Sequence, residues 1–278
     1  MAFQYNGFGR LGEGFSGADA SVKMPHSLLK EPRMSGHSRW AGIKHKKGAA
    51  DAKRGKVFTR IVRELTIAAK TGGGLPENNP RLRKAIEDAK AANMPSDNVK
   101  KAIQRGTGEI PGVVFEEVSY EGYGPGGAAV LVTGTTDNKN RTTSEFRKMF
   151  STHGGNLGES GCVGWMFQAK GQIVVEKSAW KDEDKLMTVA LDAGAEDMKS
   201  DDPEVYEVLS APADFEKVRS AVAAAGIPTA VAAVTLVPST RVALAGADGG
   251  KMAQLLEDLE NHDDVKDVYA NADVEDRD

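Results

Sequence analysis

Gln172-Ile-Val-Val-Glu176, Glu183-Asp-Lys-Leu-Met-Thr-Val-Ala-Leu-Asp192, Glu196-Asp-Met-Lys-Ser200, Val205-Tyr-Glu-Val-Leu209, Asp214-Phe-Glu-Lys-Val-Arg-Ser-Ala-Val-Ala-Ala-Ala225 and Ala230-Val-Ala-Ala-Val-Thr-Leu-Val237 are six runs whose order decides the fold. They read as strand, helix, strand, strand, helix, strand, which is the ferredoxin-like βαββαβ unit. On either side lies an unfinished unit. Upstream, Val118–Tyr123 and Ala128–Gly134 read as strands, Thr142–His153 as a helix and Gly164–Gln168 as a strand, a ββαβ order that lacks one helix and one strand. Downstream, Gly250–Asn261 and Val265–Ala270 supply a helix and a strand. The element count therefore expects residues 171–237 (domain III) to be inserted into a discontinuous α+β domain II, residues 113–170 and 238–278, so that both belong to the α/β class.

Further toward the N-terminus, beyond Pro111-Gly112, the apolar period changes from extended to helical. Val57, Ile61, Leu65 and Ala68 recur every three to four residues and place a stripe on a helix from about Ala50 to Lys70, which Gly72-Gly-Gly74 ends. Asn79 is positioned to cap a second helix with Pro80 at its first turn and Leu82, Ile86 and Ala89 on its inner face. Pro95 breaks it near Asn93. A short third helix, capped by Ser96 and bearing Val99 and Ile103, is expected to stop at Gly106. These three helices define a small helical domain I, residues 34–112, with narrow apolar stripes that are all assigned to its core. Residues 1–33 are rich in Gly and Ser, have no apolar segment of a secretory signal, and carry Glu13, Asp19 and Glu31, which argue against a transit peptide. They are expected to be a disordered extension.

Charge divides along the same line. The 278 residues carry a net charge of -4, but residues 34–112 hold 17 Lys plus Arg against 7 Asp plus Glu, whereas residues 113–278 hold 15 against 30. A segment of +10 joined to a remainder of -15 suits a chain whose N-terminal part binds a polyanion and whose other part does not. Within the basic segment the densest stretch is Gly36-His-Ser-Arg-Trp-Ala-Gly-Ile-Lys-His-Lys-Lys47, followed by Lys53, Arg54, Lys56, Arg60 and Arg63. The cations of this run, His37, Arg39, Lys44, Lys46, Lys47, Lys53, Arg54, Lys56, Arg60 and Arg63, are assigned to nucleic acid, where they can replace counterions on phosphates. Trp40 and His45, flat rings among those cations, suit unstacked bases, which points to single-stranded RNA.

The same arm, together with Asp51-Ala-Lys-Arg-Gly-Lys56, Asn79-Pro-Arg-Leu-Arg83, Ala92-Asn-Met-Pro95, Arg105-Gly-Thr-Gly-Glu109, Tyr120-Glu-Gly-Tyr-Gly-Pro-Gly-Gly127 and Thr136-Asp-Asn-Lys-Asn-Arg-Thr142, resembles the signature blocks of the YebC/PmpR family from Met34 to the end of the chain. That family includes a mitochondrial translational activator. The resemblance implies a three-domain α/β protein without enzymatic activity. Bacterial members carry the traditional label of transcriptional regulators, while some members act on the ribosome.

The remaining residues with chemical potential are assigned ordinary roles. Histidines 26, 37, 45, 153 and 262 form no metal-ligand spacing, so neither a metal nor a cofactor is expected. Cys162, the one cysteine, has no neighbouring base and reads as a small buried side chain, in keeping with a reducing, cytoplasmic setting. Gly124-Pro-Gly-Gly127 lacks the Gly-Lys-Ser/Thr of a phosphate loop and precedes a strand, so it reads as a tight turn. Glu257, Asp258, Glu260, Asp263 and Asp264 are expected on the solvent face and following turn of a helix whose core side is Met252, Leu255, Leu256 and Leu259. No apolar run approaches the roughly 18 residues needed to span a bilayer.

Two nucleic-acid readings follow. One is a translation factor that binds the ribosome and its RNA through the arm, as a monomer. The alternative is a DNA-binding transcriptional regulator. The helices flanking Met94-Pro-Ser96 have helix-turn-helix spacing, and Asn98, Lys100, Lys101, Gln104 and Arg105 lie on the later one. Asp97, at the start of that helix, suits the helix dipole better than a phosphate.

Overall fold

The computed structural model describes the backbone of residues 52–274 and the side chains from Gly55 to Val274. The N-terminal extension and the arm residues His37, Arg39, Trp40, Lys44, His45, Lys46 and Lys47 lie outside the described residues, as do the side chains of Lys53 and Arg54. Among the described residues seven α-helices and three sheets form a mixed α/β fold, in which both four-stranded sheets are antiparallel.

The helical unit is built on α1 (Ala52–Gly72), α2 (Pro80–Ala91) and α3 (Ser96–Thr107). The apolar stripe of α1 holds from Ile61 onward; Leu65 and Ala68 are fully buried, whereas Val57 is 43% exposed. Asn79 caps α2 as expected, accepting from the Leu82 amide at 3.0 Å, and its own amide donates to the carbonyls of Ala68 and Gly73. One buried side chain thus ties the end of α1 to the start of α2.

Two expectations for α3 are corrected. Ser96 is its first residue rather than its cap, and Pro95 occupies the cap position without a side-chain bond. The helix runs through Gly106 to Thr107, and Gly108, at φ 81°, is the left-handed residue that terminates it. Gly106 serves packing instead. A β-carbon there would lie 2.3 Å from the Thr66 carbonyl, so its absence lets α3 lie directly on α1.

The first sheet consists of β1 (Glu116–Tyr123), β2 (Ala129–Thr136), β3 (Asn156–Leu157) and β9 (Val265–Ala270), in the order β3-β1-β2-β9. Helices α4 (Lys139–Thr152) and α7 (Gly246–Asn261) cover it through Phe146, Phe150, Met252, Leu255 and Leu259, all fully buried against Val130 and Val132. Burying a side chain of this size contributes roughly 1.5–3 kcal/mol. The turn at Gly124-Pro-Gly-Gly127 is a single 3-10 turn, with Gly126 and Gly127 both at positive φ.

The second sheet contains β4 (Phe167–Glu176), β5 (Ala195–Lys199), β6 (Val205–Ser210) and β7 (Val231–Pro238), ordered β5-β6-β4-β7. This is the strand order of the ferredoxin-like unit, with α5 (Glu183–Asp192) and α6 (Phe215–Ala224) packed through Leu186, Ala190, Val218 and Val222. Its elements fall in sequence between β3 and β9 of the first sheet. The two strands expected at Gly164–Gln168 and Gln172–Glu176 are one continuous strand, since β7 pairs with β4 all the way from Phe167 to Val174. Gly164–Met166 forms a 3-10 turn, and the strand that completes the first sheet is the two-residue β3, paired with Gly122 and Tyr123. A short parallel ladder of β8 (Val242–Leu244) with β10 (Ala272–Val274) has no counterpart in the sequence reading.

Candidate nucleic-acid interface

Lys56, Arg60 and Arg63 stand at i, i+4 and i+7 on α1, a spacing that aligns them on one helix face. That face meets the C-terminal end of α7. The Lys56 ammonium donates to the Asn261 carbonyl at 2.9 Å, Arg60 donates to the Glu260 carbonyl, and Arg63 donates to the carbonyls of Asp263 and Thr135. A helix leaves its last carbonyls unpaired and its C-terminal end partially negative, so Lys56 and Arg60 are electrostatically matched there, with Arg63 on the turn just beyond. The arm's root is thus occupied within the chain, whereas the sequence reading gave all three cations to a nucleic acid.

Asp264 completes the contact. Its carboxylate takes Arg63 at 2.9 Å, Arg141 at 2.9 Å, and the hydroxyls of Thr136 and Thr142 at 3.0 and 2.6 Å. Burial pushes this carboxyl up, but the Thr142, Arg141 and Thr136 hydrogen bonds and the Arg63 charge outweigh it and hold it below the usual carboxylate range. Expected on the solvent face and turn with its acidic neighbours, Asp264 is instead 3% exposed. Arg141 is held correspondingly high by Asp264 and Asp137. The only signal in the sequence was the pairing of Thr136 with Thr142 in one signature block, and nothing there names the acid they would bind.

A second group extends the contact. Arg81 bridges Glu64 and Glu117 at 2.6 Å each, and Lys266 reaches Glu64 at 3.1 Å. Burial raises Glu64, yet Arg81 and Lys266 leave it below its ordinary range. Lys70 donates to the Phe115 carbonyl, and the Arg63 guanidinium lies 5.4 Å from the Phe115 ring centroid.

Other cations of the helical unit have no ion pair among the described residues. Lys100, Lys101 and Arg105 are exposed on α3, and Arg83 and Lys90 on α2. The Arg105 stem rests against Gly112. Asn98 is exposed in the first turn of α3 beside Asp97, while Gln104 lies 3.5 Å from the Glu109 carboxylate. Helix α1 packs against both α2 and α3, and the three helices share one buried core through Leu65, Leu82, Ala89 and Ala102.

The sequence reading also missed Glu121. Its buried carboxylate accepts from the amides of Gly161, Val163 and Gly164 at 2.7, 2.7 and 2.6 Å. Burial raises this group and the three amides lower it, with the amides prevailing. The loop so fixed carries Cys162, whose thiol is pushed up by burial and by the Glu121 charge, a direction opposite to that of a nucleophile. Two histidine-carboxylate pairs, His153 with Asp258 at 2.7 Å and His262 with Glu145 at 2.8 Å, clamp α4 to α7. Among the described residues no three His, Cys, Asp or Glu side chains are grouped to hold a metal, and no helix is long and apolar enough to cross a membrane.

Residues 38–109 match the model of the TACO1/YebC protein N-terminal domain, and residues 115–272 match that of the TACO1/YebC second and third domain. The chain belongs to the TACO1/YebC family. A protein of Endomicrobium trichonymphae is 58% identical over 246 residues, 88% of this chain and 98% of that one. One from Dictyoglomus turgidum is 57% identical over 243 residues, 87% and 97% of the two chains. Both are named probable transcriptional regulatory proteins. The crystal structure of a conserved hypothetical protein from Aquifex aeolicus is similar at a TM-score of 0.71 and 46% identity, covering 86% of this chain and 98% of that one.

Proposed function

We propose that this chain is a non-enzymatic regulator of gene expression that binds ribosomal or other single-stranded RNA through the basic arm and the outer face of the helical unit, as a translation factor. The observation that carries the reading is the segregation of charge, +10 over residues 34–112 against -15 over residues 113–278. The free cations of α2 and α3 extend the basic surface past the arm. In the proposed division of labour, His37, Arg39, Lys44, Lys46, Lys47, Lys53 and Arg54 contact phosphates, Trp40 and His45 meet unpaired bases, and the acidic domains II and III set orientation. Phosphates repel that acidic remainder, so the bound strand is confined to one end of the chain.

A second reading, a DNA-binding transcriptional regulator, is supported by the names of the relatives. It would use Asn98, Lys100, Lys101, Gln104 and Arg105 on α3 as the reading surface. Asp97 in the first turn of α3 weighs against that surface, because an acid there is repelled by phosphate.

Paired variants separate the two. Trp40→Ala should weaken binding to single-stranded RNA by about 1–3 kcal/mol and leave duplex DNA binding unchanged. Asn98→Ala with Gln104→Ala should leave RNA binding intact; a loss of about 1–3 kcal/mol per base contact on duplex DNA would favour the second reading. Sedimentation of lysate gives the cellular counterpart. Ribosome co-migration abolished by RNase supports the translation reading, and recovery with chromosomal DNA alone contradicts it.

A further inference from the structure

From the contact between α1 and the end of α7 we infer that the chain regulates its own nucleic-acid binding: the α7 C-terminus and Asp264 stand in for phosphates, and a bound polyanion displaces them from the α1 cations. The inference rests on the RNA-binding reading and adds a closed state to it.

Three features of the contact carry it. The first is chemical mimicry. Lys56 and Arg60 are met by the carbonyl oxygens of Asn261 and Glu260 at the negative end of α7, and Arg63 by the Asp263 carbonyl and the Asp264 carboxylate, oxygen ligands of the kind a phosphate backbone offers at higher charge. The second is that the closed state leaves donors wanting. The Nε atoms of Arg60 and Arg63 are buried with no hydrogen-bond partner, a costly condition that a phosphate oxygen would relieve. The third is that the body tolerates release. When Arg63 leaves, Asp264 keeps Arg141, Thr136 and Thr142, so no buried charge is stranded.

The chain also has a place to bend. Between the end of α3 at Thr107 and the start of β1 at Glu116 there is no helix or strand, and the segment contains Pro111-Gly112 followed by the exposed Val113 and Val114. The other polar contacts across the junction, Arg81 with Glu117, Lys266 with Glu64 and Lys70 with the Phe115 carbonyl, are partly exposed, and polyanion binding can overcome them. Closed and open forms then compete intramolecularly, and the affinity measured for RNA is lowered by the fraction of chains that are closed.

Lys266→Glu in the full chain tests this, because its two expected effects have opposite signs. The substitution sets a second acid against Glu64 and loosens the junction, yet it makes the protein more negative by two charges. Simple electrostatics therefore lowers its affinity for oligouridylate, whereas release of α1 raises it, by roughly threefold. Lys170→Glu, which changes the charge equally but breaks only a contact with Glu196 inside the second sheet, is the control and should not gain affinity. Hydrogen exchange across residues 111–115 should also quicken when oligouridylate binds the unmodified chain. Equal or lower affinity of Lys266→Glu relative to the control, or unchanged exchange in that segment, overturns the closed state and leaves RNA binding standing. If none of the proteins binds oligouridylate, the RNA reading falls and this inference with it.

Discussion

Asp264 is the residue on which the helical unit and the first sheet both depend. Four donors converge on a carboxylate that is almost inaccessible to water, and two of them are guanidinium groups. Replacing the shared acceptor removes the charge that both guanidinium groups face, so Asp264→Asn is expected to destabilise the protein by about 3 kcal/mol in urea denaturation. The sign of the pH dependence follows from the direction of its shift. A carboxyl held below its unfolded range contributes stability that is full above about pH 4 and is lost as pH falls through the folded value. Stability of the unmodified chain should therefore drop between about pH 5 and pH 2, and the Asp264→Asn variant should show a shallower acid limb over the same range. An identical acid limb in both would show that other carboxylates dominate. Asp264 is also where sequence reading failed most informatively. Five acids within eight residues look like a solvated turn, and burial of one of them is decided by Thr136, Arg141 and Arg63, which are distant in sequence.

At the scale of elements, most of what was legible came from local chemistry. Asn79 and Pro80 announce the start of α2, and the three-to-four-residue spacing of Ile61, Leu65 and Ala68 gives α1 its inner face. The strand-helix-strand-strand-helix-strand order gave the second sheet directly. What could not be read locally was how glycines divide their roles. Gly106 and Gly108 both follow an apolar helix face, but one permits close helix contact and the other ends the helix. Gly106→Ala should therefore push α3 away from α1 and cost about 1–3 kcal/mol, read as a fall in melting temperature. Gly108→Ala has open space around it and pays only for the left-handed backbone, about 1 kcal/mol. If the two variants lost the same stability, the assignment of Gly106 to helix packing would be wrong. The merging of two expected strands into β4 has a similar cause, because pairing with β7 carries the strand through Ala169-Lys-Gly171, where the local sequence does not predict it.

For the whole molecule, the sequence separates a basic end from an acidic remainder, and the fold adds that part of the basic end is turned inward onto that remainder. Twelve residues were assigned to nucleic acid from charge and aromatic content. Lys56, Arg60 and Arg63 contact α7 or the residues just after it, while the side chains of the other nine lie outside the described residues. Charge counts register how many cations a segment has and not which way each faces, which is why this allocation was invisible until α7 was placed. The central claim, a phosphate-dominated grip by the N-terminal cations, is tested most directly by measuring the affinity of the full chain for single-stranded RNA as a function of salt. With Arg39, Lys44, Lys46, Lys47, Lys53 and Arg54 making about six phosphate contacts, affinity for a single strand should fall by roughly a few hundredfold between about 50 and 200 mM salt. Lys46→Ala with Lys47→Ala should reduce the log-log slope by roughly one to two units. A nearly flat salt response, or a slope unchanged in that double variant, would contradict the account.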